Sequence, residues 1–342
     1  METISIHSDL QQVSRICLGT WALGGWCWGG TEKNDAERTI HKALDMGINF
    51  IDTAPVYGFG KSEELVGEAI QNYGSREKIL IATKTGLEWQ DDGKVFRNTA
   101  PSHIEEELNA SLKRLKTDYI DLYQIHWPDP NEDISVVAQT MDRIYKSGKV
   151  RAIGVSNFSV AQIEQFRNHC PVHTSQPPYN LFERDLEDNL INYCNENKIV
   201  TLAYGAICRG LLSGRMHRET TFDDGDIRRV DPKFQVPRYP QYLNAVEKLK
   251  KYANDNFQKT VLQLAVRWIL DKGQTVAIWG ARRPEQLDGL AEVSGWRLSK
   301  EDFANIDHML AQAITDPIGP EFMSSPDRRS AEYKGRYPID QT

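Results

Sequence analysis

Eight short runs of branched apolar residues recur along the chain, and they constrain its fold more than any other feature. They are RICLGT (15–20), NFIDTA (49–54), ILIATK (79–84), IDLYQIH (120–126), VRAIGVSN (150–157), HTSQPPY (173–179), IVTLAY (199–204) and TVAIWG (275–280). Most of them are almost continuously apolar, whereas a strand with one solvated face alternates apolar and polar residues. The runs are therefore predicted to be strands of a parallel sheet that is buried on both faces.

Helical sequence separates these runs. After Asp133, apolar residues recur at helical spacing over 134–145, and Gly148 is placed to end that helix. Ser102 followed by Glu105 has the spacing of a capping box, which predicts the start of the helix before the fourth run. Right-handed crossovers place each strand parallel to the last, so eight such units predict a closed α/β fold, the (β/α)8 TIM barrel.

The competing fold is an open doubly wound sheet, which usually carries a GxGxxG fingerprint after its first strand. Here the first run leads into WALGGWCWGG, which lacks that fingerprint. We therefore expect residues 1–342 to form a single barrel domain, with residues 3–16 as an N-terminal β-hairpin across its floor. Two segments interrupt the strand-helix pattern. Residues 213–240 are charged and contain proline, which predicts a long lid loop, and residues 316–342 form a C-terminal tail.

Charge and composition exclude several classes of partner. The 48 acidic and 41 basic side chains leave a net charge of −7, which offers no field for nucleic acid. No apolar run reaches the roughly 18 residues that a membrane span needs, and the N-terminus lacks a secretion signal, so we expect a cytoplasmic protein. The five cysteines form no CxxC pair and are expected to be reduced, and no metal site is predicted. Nothing in the sequence selects an oligomeric state.

Polar side chains stand at the carboxyl ends of most of the runs. They are Asp52 with Tyr57 on the following loop, Lys84, His126, Ser156 with Asn157, Gln176 and Tyr204. In a barrel these ends converge on one face, where the loops build the active site. We therefore expect the eight side chains to form one cluster.

The first four of these side chains suit the reduction of a carbonyl group. A phenol titrates near pH ~10 and is a poor acid at neutrality, but a close ammonium such as Lys84 lowers its pKa. Asp52 would hold that lysine in place and keep it charged. His126 could orient a bound carbonyl oxygen and share its developing negative charge.

The sequence resembles the aldo-keto reductase family over nearly its whole length. The motifs that carry the resemblance are GINFIDTAPVYGFGKSEELVGEAI (47–70), ATK (82–84), DYIDLYQIHWPD (118–129), IGVSNF (153–158), SQPPYN (175–180), LAYGAICRGLLSGR (202–215) and IWGARRPEQLDGL (278–290). The family's catalytic Asp, Tyr, Lys and His match Asp52, Tyr57, Lys84 and His126. The resemblance implies a (β/α)8 barrel that binds a nicotinamide cofactor across its mouth.

The resemblance also implies a set of cofactor contacts. Ser156, Asn157 and Gln176 match the residues that bind the carboxamide, and Tyr204 matches the aromatic that stacks on the nicotinamide ring. The loop under the cofactor matches Gly19, Thr20 and Trp21, with Asp52 beside it. The pyrophosphate stretch matches Gly205, Ala206, Ile207, Cys208, Gly210, Leu211, Ser213 and Arg215, and the adenosine 2′-phosphate site matches Gly280, Arg282, Arg283 and Gln286.

Arg282 and Arg283 could neutralise a 2′-phosphate, so NADPH is favoured over NADH. The chain departs from similar sequences at Trp279, where proline is frequent, and at Gly289 and Leu290, where an acidic residue and asparagine are frequent. These departures concern the adenine contacts.

Five tryptophans fall on loops above the predicted barrel and are candidates for the substrate pocket: Trp21, Trp26, Trp28, Trp89 and Trp127. Trp127 is the strongest candidate because it adjoins His126. An aromatic mouth with few extra charges favours neutral aldehydes or small ketones, including short polyol-derived carbonyl compounds.

The predicted activity is therefore a reversible NADPH-dependent reduction of a carbonyl group, in which Tyr57 gives the proton. Two alternatives stay open. The family includes channel-associated regulatory subunits that sense redox state through a bound cofactor, and unrelated barrels include isomerases of phosphorylated sugars. Steady-state oxidation of NADPH with simple aldehydes would separate the three.

Overall fold

A computed structural model describes residues 1–29 and 32–329 of the protein, so the predicted tail is described only as far as residue 329. Twelve strands are present: β1 (Thr3–Ile4), β2 (Val13–Ser14), β3 (Ile16–Gly19), β4 (Phe50–Asp52), β5 (Leu80–Thr85), β6 (Leu87–Trp89), β7 (Val95–Arg97), β8 (Leu122–Ile125), β9 (Ile153–Ser156), β10 (Thr174–Gln176), β11 (Val200–Ala203) and β12 (Thr275–Gly280) within the described residues. Ten α-helices occur in the same residues: α1 (Trp21–Gly24), α2 (Lys33–Asp45), α3 (Lys61–Tyr73), α4 (Pro101–Arg114), α5 (Ile134–Lys146), α6 (Val160–Arg167), α7 (Asn192–Glu196), α8 (Arg238–Phe257), α9 (Val261–Leu270) and α10 (Lys300–Ala313).

Eight of these strands form a closed parallel barrel in the order β3, β4, β5, β8, β9, β10, β11, β12. The ring closes where β12 pairs with β3, with Gly280 opposite Gly19. Each of the eight apolar runs supplies one strand, so the predicted (β/α)8 barrel is confirmed.

The interior of the barrel changes from apolar to polar along its axis. Phe50, Leu122 and Leu202 belong to an apolar cluster at the amino ends of the strands. The antiparallel pair β1–β2 adjoins this cluster and contributes Val13 to it, while Leu10 comes from the turn between them. The predicted hairpin floor is therefore confirmed. Toward the carboxyl ends the buried interior becomes polar, and that end carries the candidate site.

The helix ends agree with the sequence in one case and differ in another. Helix α5 follows Asp133, whose carboxylate accepts a hydrogen bond from the Ser135 backbone N–H at 2.8 Å. The capping box predicted at Ser102 is wrong, because α4 already begins at Pro101 with Ala100 before it. Proline suits the first helical position since it lacks an N–H and its φ is already helical, so Ser102 falls inside the first turn.

The predicted lid segment is more ordered than a plain loop. It contains short 3-10 helices at Ile227–Arg229 and Pro232–Phe234, and α8 begins at Arg238, inside the predicted bounds. The predicted end of the loop at residue 240 is therefore wrong, because residues 238–240 already belong to α8. Asp226 and Asp231 cap the two short helices with their carboxylates, which explains why acidic residues lie in this segment.

The segment that follows α10 packs beside the β6–β7 hairpin, which the sequence did not predict. The Arg97 backbone N–H donates to the Pro326 carbonyl at 2.9 Å, and the Arg97 side chain donates to the Ser325 carbonyl at 2.8 Å. Residues 316–329 thereby form a wall of the barrel mouth. Over the described part of the chain, no helix is both long enough and apolar enough to span a membrane.

Candidate active site

Lys84 lies at the centre of the polar cluster and is fully buried. Its Nζ donates to Asp52 Oδ1 at 2.6 Å, to the Thr53 carbonyl at 2.9 Å and to Tyr57 Oη at 3.3 Å. Three acceptors satisfy the three N–H bonds of the ammonium, which is how a buried cation becomes tolerable. The phenol oxygen therefore faces a fixed positive charge.

The protonation of this group differs in one respect from the sequence expectation. Burial by itself would lower the pKa of Lys84, but the Asp52 carboxylate raises it above its usual value, so the ammonium stays charged. Lys84 does lower the pKa of the Tyr57 phenol, as expected. Burial has the larger and opposite effect, and the pKa of Tyr57 is raised above its ordinary value. The expected net lowering of the Tyr57 pKa is therefore wrong, because desolvation of the phenolate outweighs the nearby cation.

His126 stands on the other side of the phenol. Its ring meets the Tyr57 ring edge to face, with 5.8 Å between centroids. Burial, with Lys84 as a second cause, holds the pKa of His126 well below its usual value. The imidazole is therefore neutral at physiological pH and can donate one N–H bond without carrying charge.

The position of Tyr57 depends on a close contact between two glycines. A Cβ on Gly58 would lie 2.2 Å from the Gly24 carbonyl oxygen, and a Cβ on Gly24 would lie 2.4 Å from the Tyr57 carbonyl oxygen. Gly58 also has φ of +67°, which side chains disfavour. The turn after β4 can therefore press against α1 only because both positions lack a side chain.

The amide-bearing candidates form a second hydrogen-bonded group beside His126. Asn157 donates from Nδ2 to the His126 carbonyl at 2.9 Å, and its Oδ1 accepts from Tyr204 Oη at 2.9 Å. Ser156 Oγ donates to the Gln176 carbonyl at 2.8 Å. These bonds connect five residues from the ends of four strands, β8, β9, β10 and β11, which the sequence analysis expected to lie together.

A single cavity at the barrel mouth collects most of the predicted residues. Those that line it are Gly19, Thr20, Trp21, Trp26, Trp28, Asp52, Tyr57, His126, Trp127, Ser156, Asn157, Gln176, Tyr204, Gly205, Ile207, Gly210, Gly280, Arg282 and Gln286. Lys84 lies directly beneath it, bonded to Tyr57.

Other predicted residues do not reach this cavity. The side chains of Ala206, Cys208 and Leu211 are buried in the main core. They could offer a ligand only backbone groups. Ser213, Arg215 and Arg283 lie outside the cavity lining, and so does Trp89, which packs against Phe59 with 5.8 Å between ring centroids.

Residues 213–240 add a cationic residue to the cavity lining that sequence reasoning missed. Arg228 lines the cavity and stacks over Trp28, with 5.4 Å from its guanidinium carbon to the ring centroid. It also pairs with Asp226. Arg282 donates to the Trp28 carbonyl from the other side. The charged composition of residues 213–240 was the only sequence signal for Arg228.

The cavity suits the phosphates and carboxamide of a dinucleotide. Among the described residues, the buried indole N–H groups of Trp21 and Trp28 have no hydrogen-bond acceptor. A Cβ on Gly280 would meet no atom within 4 Å, so this part of the lining leaves open space. Free donors, arginines and open backbone are what an anionic ligand requires. Within residues 1–29 and 32–329, no group of three His, Cys, Asp or Glu side chains is arranged to hold a metal ion.

Eight further lining residues were not among the predicted site residues: Ala22, Val56, Leu87, Arg209, Ile278, Ala281, Met323 and Ser325. Val56 and Leu87 contribute apolar surface near Trp127, and Met323 and Ser325 come from the segment after α10. Their positions depend on how loops pack over the mouth, which strand periodicity does not report.

A parallel barrel with a phenol bonded to a buried ammonium at its mouth has the features of a carbonyl-reducing barrel enzyme. The model of the Aldo/keto reductase family matches residues 15–311. The chain therefore belongs to the aldo-keto reductase family, and it is an NAD(P)H-dependent oxidoreductase.

Individual relatives agree with this assignment. The chain is 54% identical to aldo-keto reductase YhdN of Bacillus subtilis (strain 168), over 96% of this chain and 99% of the relative. It is 33% identical to the NADH-specific methylglyoxal reductase of Escherichia coli (strain K12), over 92% and 99% of the two chains. The structure of the glycerol dehydrogenase AKR11B4 from Gluconobacter oxydans superposes with a TM-score of 0.86 at 48% identity, covering 94% of this chain and 99% of that one.

Proposed function

We propose that the protein catalyses the reversible, NADPH-dependent reduction of aldehydes or small ketones to alcohols, with Tyr57 as the proton donor. The observation that carries the proposal is the 3.3 Å contact between Lys84 Nζ and Tyr57 Oη, beside a cavity that reaches both Tyr57 and His126. A bound nicotinamide supplies the hydride.

The side chains of the chain divide the remaining work. A neutral His126 donates a hydrogen bond to the carbonyl oxygen and holds it near the Tyr57 hydroxyl. Tyr57 gives its proton to that oxygen, and Lys84 stabilises the phenolate that remains. In the oxidation direction the same phenolate accepts the proton, so the arrangement serves both directions.

The preference for NADPH rests on the arginines near Gly280. Arg282 lines the cavity, and Arg283 follows it on the same loop. Arg228 adds a third positive side chain near Arg282, and its charge contributes to lowering the pKa of Arg282, after burial. A 2′-phosphate would relieve the repulsion between these guanidinium groups, whereas NADH would not. The E. coli relative is NADH-specific, so membership of the family does not decide the coenzyme, and the proposal rests on the arginines of this chain.

The substrate side of the cavity is apolar. Trp26, Trp127, Val56 and Leu87 line it, and the aromatic rings are placed to contact a small neutral molecule. Relatives named for methylglyoxal and for glycerol act on short oxygenated compounds, which supports short aldehydes and ketones as the substrate class here.

The proton donor is tested by Tyr57→Phe. General acid catalysis contributes about 10²- to 10⁴-fold in rate, so we expect kcat for aldehyde reduction to fall by that factor. Quenching of NADPH fluorescence on binding should persist, because the variant keeps the aromatic ring. Tyr73→Phe, at a hydroxyl bonded to Asp45 on the surface, is the matched control. Near-full activity of Tyr57→Phe would show that another group gives the proton. Turnover that stops after one cofactor equivalent in the unmodified protein would instead favour a redox-sensing regulatory subunit.

The coenzyme preference is tested by Arg282→Ala. Loss of a charged contact to phosphate costs about 1.5–3 kcal/mol, so the dissociation constant of NADPH should rise about 10- to 100-fold. That of NADH should change little. Fluorescence titrations with both coenzymes measure this, and the exposed Arg38→Ala is the control. An equal loss for both coenzymes would place Arg282 away from the 2′-phosphate.

A further inference from the structure

Gln124 lies inside the barrel, beneath the cavity, and takes no part in the chemistry proposed above. It belongs to β8, two residues before His126, and its side chain is fully buried. Its Nε2 lies 3.3 Å from Asp52 Oδ2. A buried amide is costly unless it is hydrogen-bonded, so its presence among the apolar residues of the barrel interior calls for a physical reason.

A second amide completes the arrangement around Asp52. Gln176 Nε2 donates to Asp52 Oδ2 at 2.9 Å and to Gln124 Oε1 at 3.3 Å. The three side chains come from β4, β8 and β10, so the bonds cross the interior of the barrel. Asp52 thus holds Lys84 through Oδ1 and receives both amides through Oδ2.

The charge on Asp52 determines which way both amides face. An ionised carboxylate only accepts hydrogen bonds, so both amide nitrogens must turn toward it. Gln124 Oε1 then accepts the second N–H of Gln176. Gln176 keeps only its Oε1 for a ligand, so it can accept from the amide group of a nicotinamide but cannot donate to it.

The barrel makes room for Gln124 at a neighbouring strand. A Cβ on Gly154 would lie 2.9 Å from Gln124 Cγ and 2.2 Å from Thr174 Oγ1. The Thr174 hydroxyl and the Gln124 side chain therefore occupy the space that the glycine leaves.

We propose that Gln124 is a positioning residue for the reaction. Its amide group connects Asp52, which holds Lys84, to Gln176, which would face the nicotinamide. The inference rests on the proposed function. Gln124 touches neither Tyr57 nor the cavity surface, and it acts only through Asp52 and Gln176.

Two nearly isosteric variants separate this role from packing. Gln124→Met keeps the volume and removes both hydrogen bonds. Gln124→Glu keeps the shape, and its carboxyl group can reproduce both bonds only while protonated, since its O–H then donates to Asp52 and its carbonyl accepts from Gln176. Once ionised, it places a second negative charge beside Asp52. Burial and this like charge raise the pKa of the introduced carboxyl.

We expect kcat of Gln124→Met to fall about tenfold or more at every pH. This is only a part of the rate enhancement that general acid catalysis contributes, because the variant keeps Tyr57 and Lys84. Its dissociation constant for NADPH, from fluorescence quenching, should rise less than about threefold, because many other groups contact the cofactor. Gln124→Glu should retain activity in acid and lose it as pH rises, through an ionisation that the unmodified protein lacks. The cofactor-free Gln124→Glu protein should match the unmodified thermal midpoint at about pH 4 and below, and fall progressively under it toward pH 8, because a carboxyl with a raised pKa costs stability once its unfolded form ionises.

Two controls address packing and charge. Leu122→Met alters a buried side chain two residues earlier on the same strand, and Gln263→Glu makes the same exchange at a buried glutamine of α9. Neither should change the shape of the pH profile. If kcat of Gln124→Met stays within about twofold of the unmodified value, or Gln124→Glu follows the unmodified pH profile, the inference is overturned. Should Gln124→Glu not fold, Gln124→Met decides alone.

Tyr57→Phe, assayed beside these variants, separates this inference from the proposed function. Full activity of Tyr57→Phe refutes the proposed function. If Tyr57→Phe loses activity while the kcat of Gln124→Met equals that of the unmodified protein, only the role of Gln124 is refuted.

Discussion

At the scale of single residues, the site depends on a balance between burial and charge. Burial raises the pKa of the Tyr57 phenol and Lys84 opposes this, and the net effect keeps the proton on Tyr57 at neutral pH. A protonated phenol is the form that a proton donor needs. Burial also keeps His126 neutral, so the imidazole can donate a hydrogen bond without adding charge next to Lys84.

These directions predict the pH dependence of both reactions. Reduction should proceed at a constant kcat from about pH 6 through neutrality, and fall only as pH rises through the raised pKa of Tyr57, because the donor is then deprotonated. Oxidation should instead accelerate toward alkaline pH, since it needs the phenolate. Profiles of kcat in both directions, with Tyr57→Phe as reference, measure this. A loss of half the reduction rate between pH 6 and 8 would contradict the assignment.

At the scale of elements, a buried ionic cluster joins the predicted lid segment, residues 213–240, to the rest of the barrel. Arg209 bonds Glu183 and, from Nε, Asp231 Oδ2 at 2.5 Å. Lys233 contacts Glu183 Oε1 at 2.9 Å and donates to the Gly319 carbonyl at 3.1 Å. Two cations and two carboxylates thus join residues 213–240, Arg209 with its neighbours and the segment after α10. The lid carries Arg228 into the cavity, so this cluster sets the position of a candidate cofactor contact.

Loosening the cluster should speed the exchange of cofactor. Lys233→Met removes one partner of Glu183 and leaves the Gly319 carbonyl without its donor, which should cost about 1–3 kcal/mol of unfolding free energy. We expect NADPH to dissociate several-fold faster because Arg228 is less firmly held. Stopped-flow release of NADPH and thermal unfolding measure the two effects. The exposed Lys250→Met is the control, and unchanged release from Lys233→Met would show that the lid does not govern exchange.

At the scale of the whole molecule, hydrogen bonds and ion pairs join the N-terminal hairpin to the last helix-strand unit of the barrel. Glu2 accepts a 2.6 Å bond from the fully buried Arg267, and Arg15 donates from Nε to the Thr275 carbonyl at 3.0 Å. These contacts join the hairpin floor to α9 and β12 across most of the chain length. We infer that the described residues form one domain that unfolds in a single transition.

Removal of the Glu2 charge tests this coupling. Burial acts to raise the pKa of Glu2. The hydrogen bond from Arg267 and the charges of Arg267 and Arg15 outweigh this effect, and the pKa is lowered below its ordinary value. The carboxylate therefore stabilises the fold above its ordinary pKa, and this contribution is lost as pH falls through the lowered value. Glu2→Gln should cost roughly 1–3 kcal/mol at pH 7, and much less in acid. Circular dichroism and tryptophan fluorescence should shift together, whereas Glu219→Gln, at an exposed carboxylate, should change little. Separate transitions for the two probes would indicate more than one unit.

The eight strands, their order along the chain and the residues at their ends could be read from the apolar runs. This was possible because strands buried on both faces require long apolar runs, and because parallel strands bring their carboxyl ends to one face. The sequence therefore predicted that Asp52, Lys84 and His126 lie close together. It also predicted the N-terminal hairpin at the floor of the barrel.

The net direction of the Tyr57 pKa, the position of Arg228 in the cavity lining and the contact of Gln124 with Asp52 became apparent only in the folded chain. Each depends on distances between segments that are far apart in the chain. The sequence analysis did not single out Gln124, because the residues beside it in the chain do not show that its side chain bonds Asp52 across the barrel. Local sequence encodes which elements form, but the strength of an electrostatic contact depends on separation and burial, and those exist only once the barrel has closed.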